Sequence, residues 1–224
     1  MEGMKYLLSF LCAFSLCAQS DSEKRLQAAA DTLNEIMAAS DKAIPQDLLD
    51  KAQCAVLVPG LKKGAFIVGA KFGRGFLNCR NADGIGWSAP APVRVEGGSF
   101  GFQIGGAEVD VVMLIMNRTG ADKLLGSKFT LGGEGTVAAG PVGRSSTAQT
   151  DAAMRAEILT WSRSRGVFAG IALTGATLRP DDNAIRELYG SKNVTNRDIV
   201  TGKYPTPAAA RPLIDALTKY SGRK

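Results

Sequence analysis

The stretch Leu131-Gly132-Gly133-Glu134-Gly135-Thr136-Val137-Ala138-Ala139-Gly140-Pro141-Val142-Gly143 decides the fold class. Gly133, Gly135 and Ala138 stand at the spacing G-x-G-x-x-A, which in a doubly wound fold brings backbone N–H groups against a dinucleotide pyrophosphate. That chemistry needs a helix to open at the glycines, because the helix N-terminus holds the anion. Here Gly140-Pro141 follows at once, and both residues oppose a helix of useful length. No βαβ unit surrounds the run, and the P-loop pattern G-x-x-x-x-G-K-[ST] is absent. The run reads as a Gly-spaced strand and tight turn.

The same texture spreads outward. The chain has 224 residues and 26 glycines, many of them between Gly60 and Gly175, as expected of bends, bulges and close strand packing. Short strands are expected at Ala55–Val58, Ala65–Lys71, Phe76–Arg80, Ile85–Ser88 (carrying Trp87) and Val93–Glu96. Pro59-Gly60 ends the first of these, Leu61-Lys62-Lys63-Gly64 reads as a basic turn, and Gly73 and Gly75 separate the next two. Phe100, Phe102 and Ile104 alternate with Gly101 and Gln103, a period-two strand. Glu108–Met116 is almost wholly apolar after Asp110, as in a buried strand. Lys128–Leu131, Glu134–Gly140 and the Gly-spaced region Gly166–Leu178 follow, while Ala152–Trp161 suits strand or helix.

Helical patterns lie mainly toward the ends. Leu26, Ala29, Ala30, Leu33, Ile36 and Met37 form an apolar stripe over Ser22–Ser40, with Asp21 or Ser22 available as its cap. Gln46–Ala52, Asn117–Gly126 and Asp182–Tyr189 are shorter helices. Ala208–Tyr220 is a C-terminal helix with Leu213, Ile214 and Leu217 on one face. Helices do not alternate regularly with strands, which argues against a doubly wound sheet. The expected class is α+β: a strongly bent, mostly antiparallel sheet or partial barrel flanked by N- and C-terminal helices.

Lys5, the apolar stretch Tyr6–Ala18 and the small residues before Asp21 read as an export signal. Cutting is expected after Ser20, with lipoprotein processing at Cys17 as the lesser alternative. A stretch of thirteen residues is short for a bilayer span, which needs about 20 in a helix. Cys12 and Cys17 fall in that segment. Cys54 and Cys79 remain, either as a disulfide or as two buried thiols. The expected division is 1–20 as signal, 21–200 as the main domain, and 201–224 as a Pro-containing linker with the C-terminal helix. Export places the protein in the periplasm or at the envelope membrane.

The chain contains no histidine, which removes a Ser-His-Asp triad, a Cys-His pair and His-bearing zinc sites. Glu108, Asp110 and Glu134 are the carboxylates nearest to a catalytic pair, but no spacing rule joins them. Ser145 and Ser146 have no nameable base. No enzymatic activity, metal or cofactor is expected. The net charge of +6 suits an anionic partner, and export argues against nucleic acid. The basic candidates are Lys24 and Arg25 in the first helical turn, where the helix dipole disfavours cations, together with Lys62, Lys63, Lys71, Arg74 and Arg80 on the turns. Arg144, just after the glycine run, is a further anion contact.

Six motifs occur in order: Lys62–Ala70, Gly97-Gly98-Ser99-Phe100-Gly101-Phe102-Gln103-Ile104-Gly105, Asp110–Met113, the Leu131–Arg144 run, Ser164-Arg165-Gly166-Val167-Phe168-Ala169-Gly170 and Leu188-Tyr189-Gly190. Together, over roughly Ala28–Gly190, they resemble the SYLF domain. The resemblance implies a non-enzymatic lipid-binding module, helped in eukaryotic relatives by an amphipathic N-terminal helix, with actin filaments bound by some members. As a single-domain chain with a signal it resembles the bacterial members. The expected partner is then an anionic phospholipid surface, contacted through the basic turns and the first helix, and actin is not expected. A protein-binding scaffold of the cell envelope is the alternative, and a carboxylate hydrolase the third reading.

Overall fold

A computed structural model describes residues 19–39, 43–65, 68–100, 105–131, 137–139, 158–164, 167–168, 173, 175–191 and 193–221. Most of the expected signal, most of the Leu131–Gly143 run, Phe102, Ile104 and Arg144 lie outside these residues. Among them are six α-helices: α1 Asp21–Ala38, α2 Gln46–Lys51, α3 Arg118–Leu124, α4 Asp182–Tyr189, α5 Asn196–Val200 and α6 Arg211–Ser221. Nine strands form one sheet: β1 Cys54–Ala65, β2 Val68–Cys79, β3 Ala91–Phe100, β4 Gly105–Ile115, β5 Phe129–Thr130, β6 Val137–Ala139, β7 Ile158–Ser164, β8 Val167–Phe168 and β9 Thr177–Pro180.

The strand order is β5-β9-β3-β2-β1-β4-β7-β6, with β8 on β7. Every pair is antiparallel except β6 with β7. Phe129 and Leu178 from one end of the sheet share an apolar cluster with Ile158 from the other, so the sheet curls on itself as a half-barrel. The α+β class and the bent antiparallel sheet agree with the sequence expectation.

Both faces of the sheet's centre are buried. In β1, Ala55 and Leu57 meet the helices α1, α2 and α6, while Cys54, Val56 and Val58 face the concave side. This explains the solid apolar run where a half-exposed strand would alternate. Val111–Ile115 of β4 repeats the pattern, with Val112 and Leu114 toward the helices and Val111, Met113 and Ile115 inward.

Helix α1 begins at a capping box that the sequence reading missed. Ser20 accepts from the Glu23 backbone N–H, and Glu23 reaches back to the Ser20 N–H. The apolar stripe lies on the sheet, and Leu26, Leu33 and Ile36 are each 0 % exposed, each contributing roughly 1.5–3 kcal/mol of burial. Helix α6 packs alongside α1, and Leu213 and Leu217 join the same cluster.

Strand boundaries differ from expectation: β3 runs on through Gly97-Gly98 to Phe100, and three differences bear on the site. β1 does not end at Pro59-Gly60. Val58 pairs with Val111 and Leu61 with Val109, so two residues stand opposite Asp110 alone in a β-bulge. Gly60 supplies the left-handed backbone (φ 58°), and its N–H donates to Asp110 Oδ1 at 2.9 Å. The Leu61–Gly64 turn is therefore strand. β2 is one strand rather than two, because Gly73 and Gly75 do not interrupt it but seat the bulge: a Cβ on Gly75 would stand 1.9 Å from the Leu57 carbonyl oxygen. Ile85–Ser88 is not a strand. A single bridge, Arg80 to Trp87, closes a turn in which Asp83 accepts from the Ile85 N–H and the Asn81 side chain donates to the Ile85 carbonyl.

Cys54 and Cys79 are bonded directly across the β1–β2 pair, with a sequence separation of 25. Reducing the bond is expected to lower the unfolding free energy by about 2–4 kcal/mol. The check is urea denaturation of the oxidised and reduced protein, and a shared midpoint would remove the bond from the account.

Candidate functional site

The basic residues singled out from the sequence do not converge. Arg80 is buried, 9 % exposed. It donates to the carbonyls of Leu49 (3.1 Å) and Ala52 (3.4 Å) at the end of α2 and stacks 4.0 Å from the Trp87 ring. A cation there satisfies helix C-terminal carbonyls, which is a folding role. Arg74 forms an ion pair with Asp181 (3.3 Å), without hydrogen-bond alignment, and lies 5.6 Å from the Phe72 ring centre. Asp181 also caps α4 through the Ala184 N–H. Arg25 faces the same group, and its burial, then Arg74, lower its pKa. Nearby, hydrogen bonds from Ser20 and then Ser22 hold the Glu187 carboxyl below its ordinary value, tying α4 to the start of α1.

Lys63 and Lys71 oppose one another across β1 and β2 on the concave face. Burial, and then Lys63, lower the pKa of Lys71, which is 5 % exposed. Lys62 points to the opposite, helix-bearing face, where it is exposed, as is Lys24. The set is thus divided between two faces, and three of its members are engaged inside the fold. The apolar stripe of α1 is likewise packed away. Glu134 lies outside the described residues, and among those described no three His, Cys, Asp or Glu side chains cluster to hold a metal.

What the structure brings together instead is a bare half-face of the sheet. Helices cover the rows that hold Leu57, Phe76, Val112 and Leu114. Beyond Arg74 two rows run across β3, β2, β1 and β4 with no helix packed over them among the described residues, although α1 comes up to Glu108 at the β4 end. The first is Glu96–Phe72–Lys62–Glu108, and the second is Gly98–Ala70–Gly64–Gly106. Phe72 is 44 % exposed. The second row is floored by backbone and one methyl. A Cβ on Gly64 would meet nothing within 4 Å, whereas one on Gly97, facing the concave side, would stand 2.8 Å from Ala176 Cα.

Two depressions flank this surface near the bulge. One, of about 480 Å³, lies between Lys24, Asp31 and Glu35 of α1 and the Pro59-Gly60 bulge. The other, of about 570 Å³, is lined by Gly106, Glu108, Asp110 and Ser164. Arg163 pairs with Glu35 and, at 3.7 Å, with Asp110. A larger cavity of about 1130 Å³ opens at the other end of β1, beside the disulfide, Trp87 and Tyr204. The sequence signal for the bare face was the glycines near 64, 98 and 106, but only the register shows that they share a row.

A family model described as Ysc84, Las17-binding protein actin regulator, matches residues 96–220. SH3 domain-containing YSC84-like protein 1 of Rattus norvegicus is 36 % identical over 183 residues, covering 81 % of this chain and 53 % of the relative. The Homo sapiens protein of the same name is 35 % identical, covering 81 % and 52 %. LAS seventeen-binding protein 3 of Saccharomyces cerevisiae is 33 % identical over 208 residues, covering 91 % and 44 %. The chain spans about half the length of the curated relatives it matches.

These relatives correct the expected partner. An anionic phospholipid surface was expected and actin set aside. The matched family is described by protein binding and actin regulation instead, and basic residues such as Arg74 and Arg80 have work within the fold.

Proposed function

Because the chain belongs to the Ysc84 family, that of the SYLF domain, we propose that it is a protein-binding module of the actin-regulator class, acting without catalysis. The observation that carries this reading is the bare four-strand face around Phe72. Phe72 leaves 44 % of its surface exposed there among small and charged neighbours, an apolar contact point for a partner. Residues 96–220 of the family match contribute Glu96, Gly98, Gly106 and Glu108 to it. The partner class is taken from the relatives' names: a Las17-type protein, or the actin filament such a protein regulates.

The test is direct binding with purified components. The full chain is mixed separately with a Las17-type protein, with actin filaments and with anionic phospholipid vesicles. Saturable, stoichiometric binding to either protein supports the reading. Binding to vesicles alone overturns it.

A further inference from the structure

We infer that the Cys54–Cys79 bond is a thiol-exchange site: a small anionic thiol enters the cavity beside it, attacks Cys79 and opens the bond without unfolding the sheet. The inference stands apart from the protein-binding reading and concerns the end of β1 away from the bare face. Access, a fold that survives opening, and charge lead to it.

Both cysteines line the cavity of about 1130 Å³, which is larger than the roughly 300–1,000 Å³ of ordinary small-molecule sites. The turn after β2, helix α3 and the segment after α5 supply the rest of its wall. The bond therefore borders an opening rather than lying beneath a helix layer. Cys79 is 7 % exposed and Cys54 1 %. Cys79 Sγ is thus the sulfur that a reagent reaches, and Cys54 is the leaving sulfur.

The backbone around the pair is held without the sulfurs. Cys54 and Cys79 are register partners, and Cys54 also pairs with Ile115 of β4. The Arg80 N–H donates to the Gln53 carbonyl at 2.8 Å. The Cys79 N–H donates to Ser88 Oγ at 3.0 Å, and its carbonyl accepts from the Ser88 N–H at 2.8 Å. Both side chains lie in the apolar cluster of the concave face, and a free cysteine is content there as a small hydrophobe. Opened thiols stay side by side, ready to close again.

Charge favours the reagent. Among the described residues Arg80, Arg118 and Arg197 line the cavity, against Asp83 and Asp122. Arg197 pairs with Asp122 at 3.1 Å, and Asp83 accepts from the Ile85 N–H. Three cations against two carboxylates leave a positive excess, which raises the local concentration of an anion. A cation beside a cysteine also favours its thiolate, the form through which exchange runs. Arg80 directly follows Cys79 in the chain.

In the first step the reagent's thiolate bonds to Cys79 Sγ. The Cys79–Cys54 bond breaks, and Cys54 leaves as a thiolate that takes a proton from water. A second thiolate then attacks the reagent's sulfur in the mixed disulfide and releases Cys79. Two reagent thiols are oxidised to one disulfide, and the protein gains two thiols. Oxidised reagent reverses both steps.

The experiment treats the full, oxidised chain with reduced glutathione in native buffer and, in parallel, with 2-mercaptoethanol, a neutral thiol. Maleimide blocks free thiols at intervals, and peptide mass mapping reads Cys54 and Cys79 separately from Cys12 and Cys17. Both reagents are expected to open the bond without urea, with glutathione appearing on Cys79 and the circular dichroism spectrum unchanged. Oxidised glutathione is expected to close it again. Arg118→Glu is expected to slow the glutathione reaction about threefold or more and to leave the 2-mercaptoethanol rate nearly unchanged. Arg118→Lys is expected to keep both wild-type rates. Arg118 is exposed, and an unchanged Tm shows that the variants fold.

Opening that occurs only in urea overturns the inference and makes the bond a permanent tie. Glutathione carried by Cys54, loss of the spectrum on opening, or failure to close again overturns it as well. So does an unaltered glutathione rate in Arg118→Glu, or equal slowing of both reagents. None of these readouts uses a Las17-type partner, so failure here leaves the proposed function standing.

Discussion

A single methyl group at Gly75 is expected to disrupt the centre of the sheet. The Cβ of Gly75→Ala would stand 1.9 Å from the Leu57 carbonyl oxygen and 2.9 Å from Val58 Cα. The obstacle is backbone, so no side chain can rotate away. Leu57 and Val58 also lead directly into the bulge, whose geometry Gly60 and Asp110 hold in place. Overpacking a filled core costs about 1–3 kcal/mol and occasionally more, and Gly75→Ala is expected at or above the top of that range. Gly64→Ala is the matched control. It adds the same methyl group to the neighbouring strand, but into open space, and surface changes of that kind stay within about 0.5 kcal/mol. Urea denaturation of the two variants checks the contrast, and equal midpoints would contradict the packing described here.

Phe76→Ala is expected to cost about 3–5 kcal/mol, the usual loss for a buried phenylalanine. Phe76 is 0 % exposed and lies in the cluster that joins the sheet to α1, α2 and α6. Phe72 is four residues earlier on the same face of the same strand and is 44 % exposed. Phe72→Ala is therefore expected to leave the denaturation midpoint nearly unchanged. The pair separates two placements of one side-chain type: Phe76 holds the helix layer, and Phe72 lies exposed on the same strand. A large stability loss at Phe72 would place it in the core.

Much of the architecture was legible from local pattern. The stripe Leu26–Ile36 gave α1, the apolar run after Asp110 gave β4, and Gly140-Pro141 excluded a nucleotide loop. What was not legible depended on long-range pairing. Pro59-Gly60 looks like a strand end in any short window. It becomes a bulge only because Asp110, fifty residues away, accepts the Gly60 N–H. Gly73 and Gly75 look like punctuation until β1 lies across them. Basic residues were legible as charges but not as ligands of the fold, since Arg80 serves carbonyls at the end of α2 and Arg74 serves Asp181. The bare face was hidden for the same reason: its small residues come from four strands and meet only in the register.

Hydroxyl-radical footprinting tests the central claim most directly. Phe72 and Ile85 are the exposed large apolar side chains among the described residues, at 44 % and 50 %. Phe72 lies on the bare face, and Ile85 on the turn that borders the cavity beside the disulfide. Oxidation of both is followed by mass spectrometry as a Las17-type partner is titrated against the full chain. The account predicts that Phe72 becomes protected in step with complex formation while Ile85 reacts at its free rate. Protection of Ile85 with Phe72 unchanged would contradict it and move the interface to the other end of the sheet.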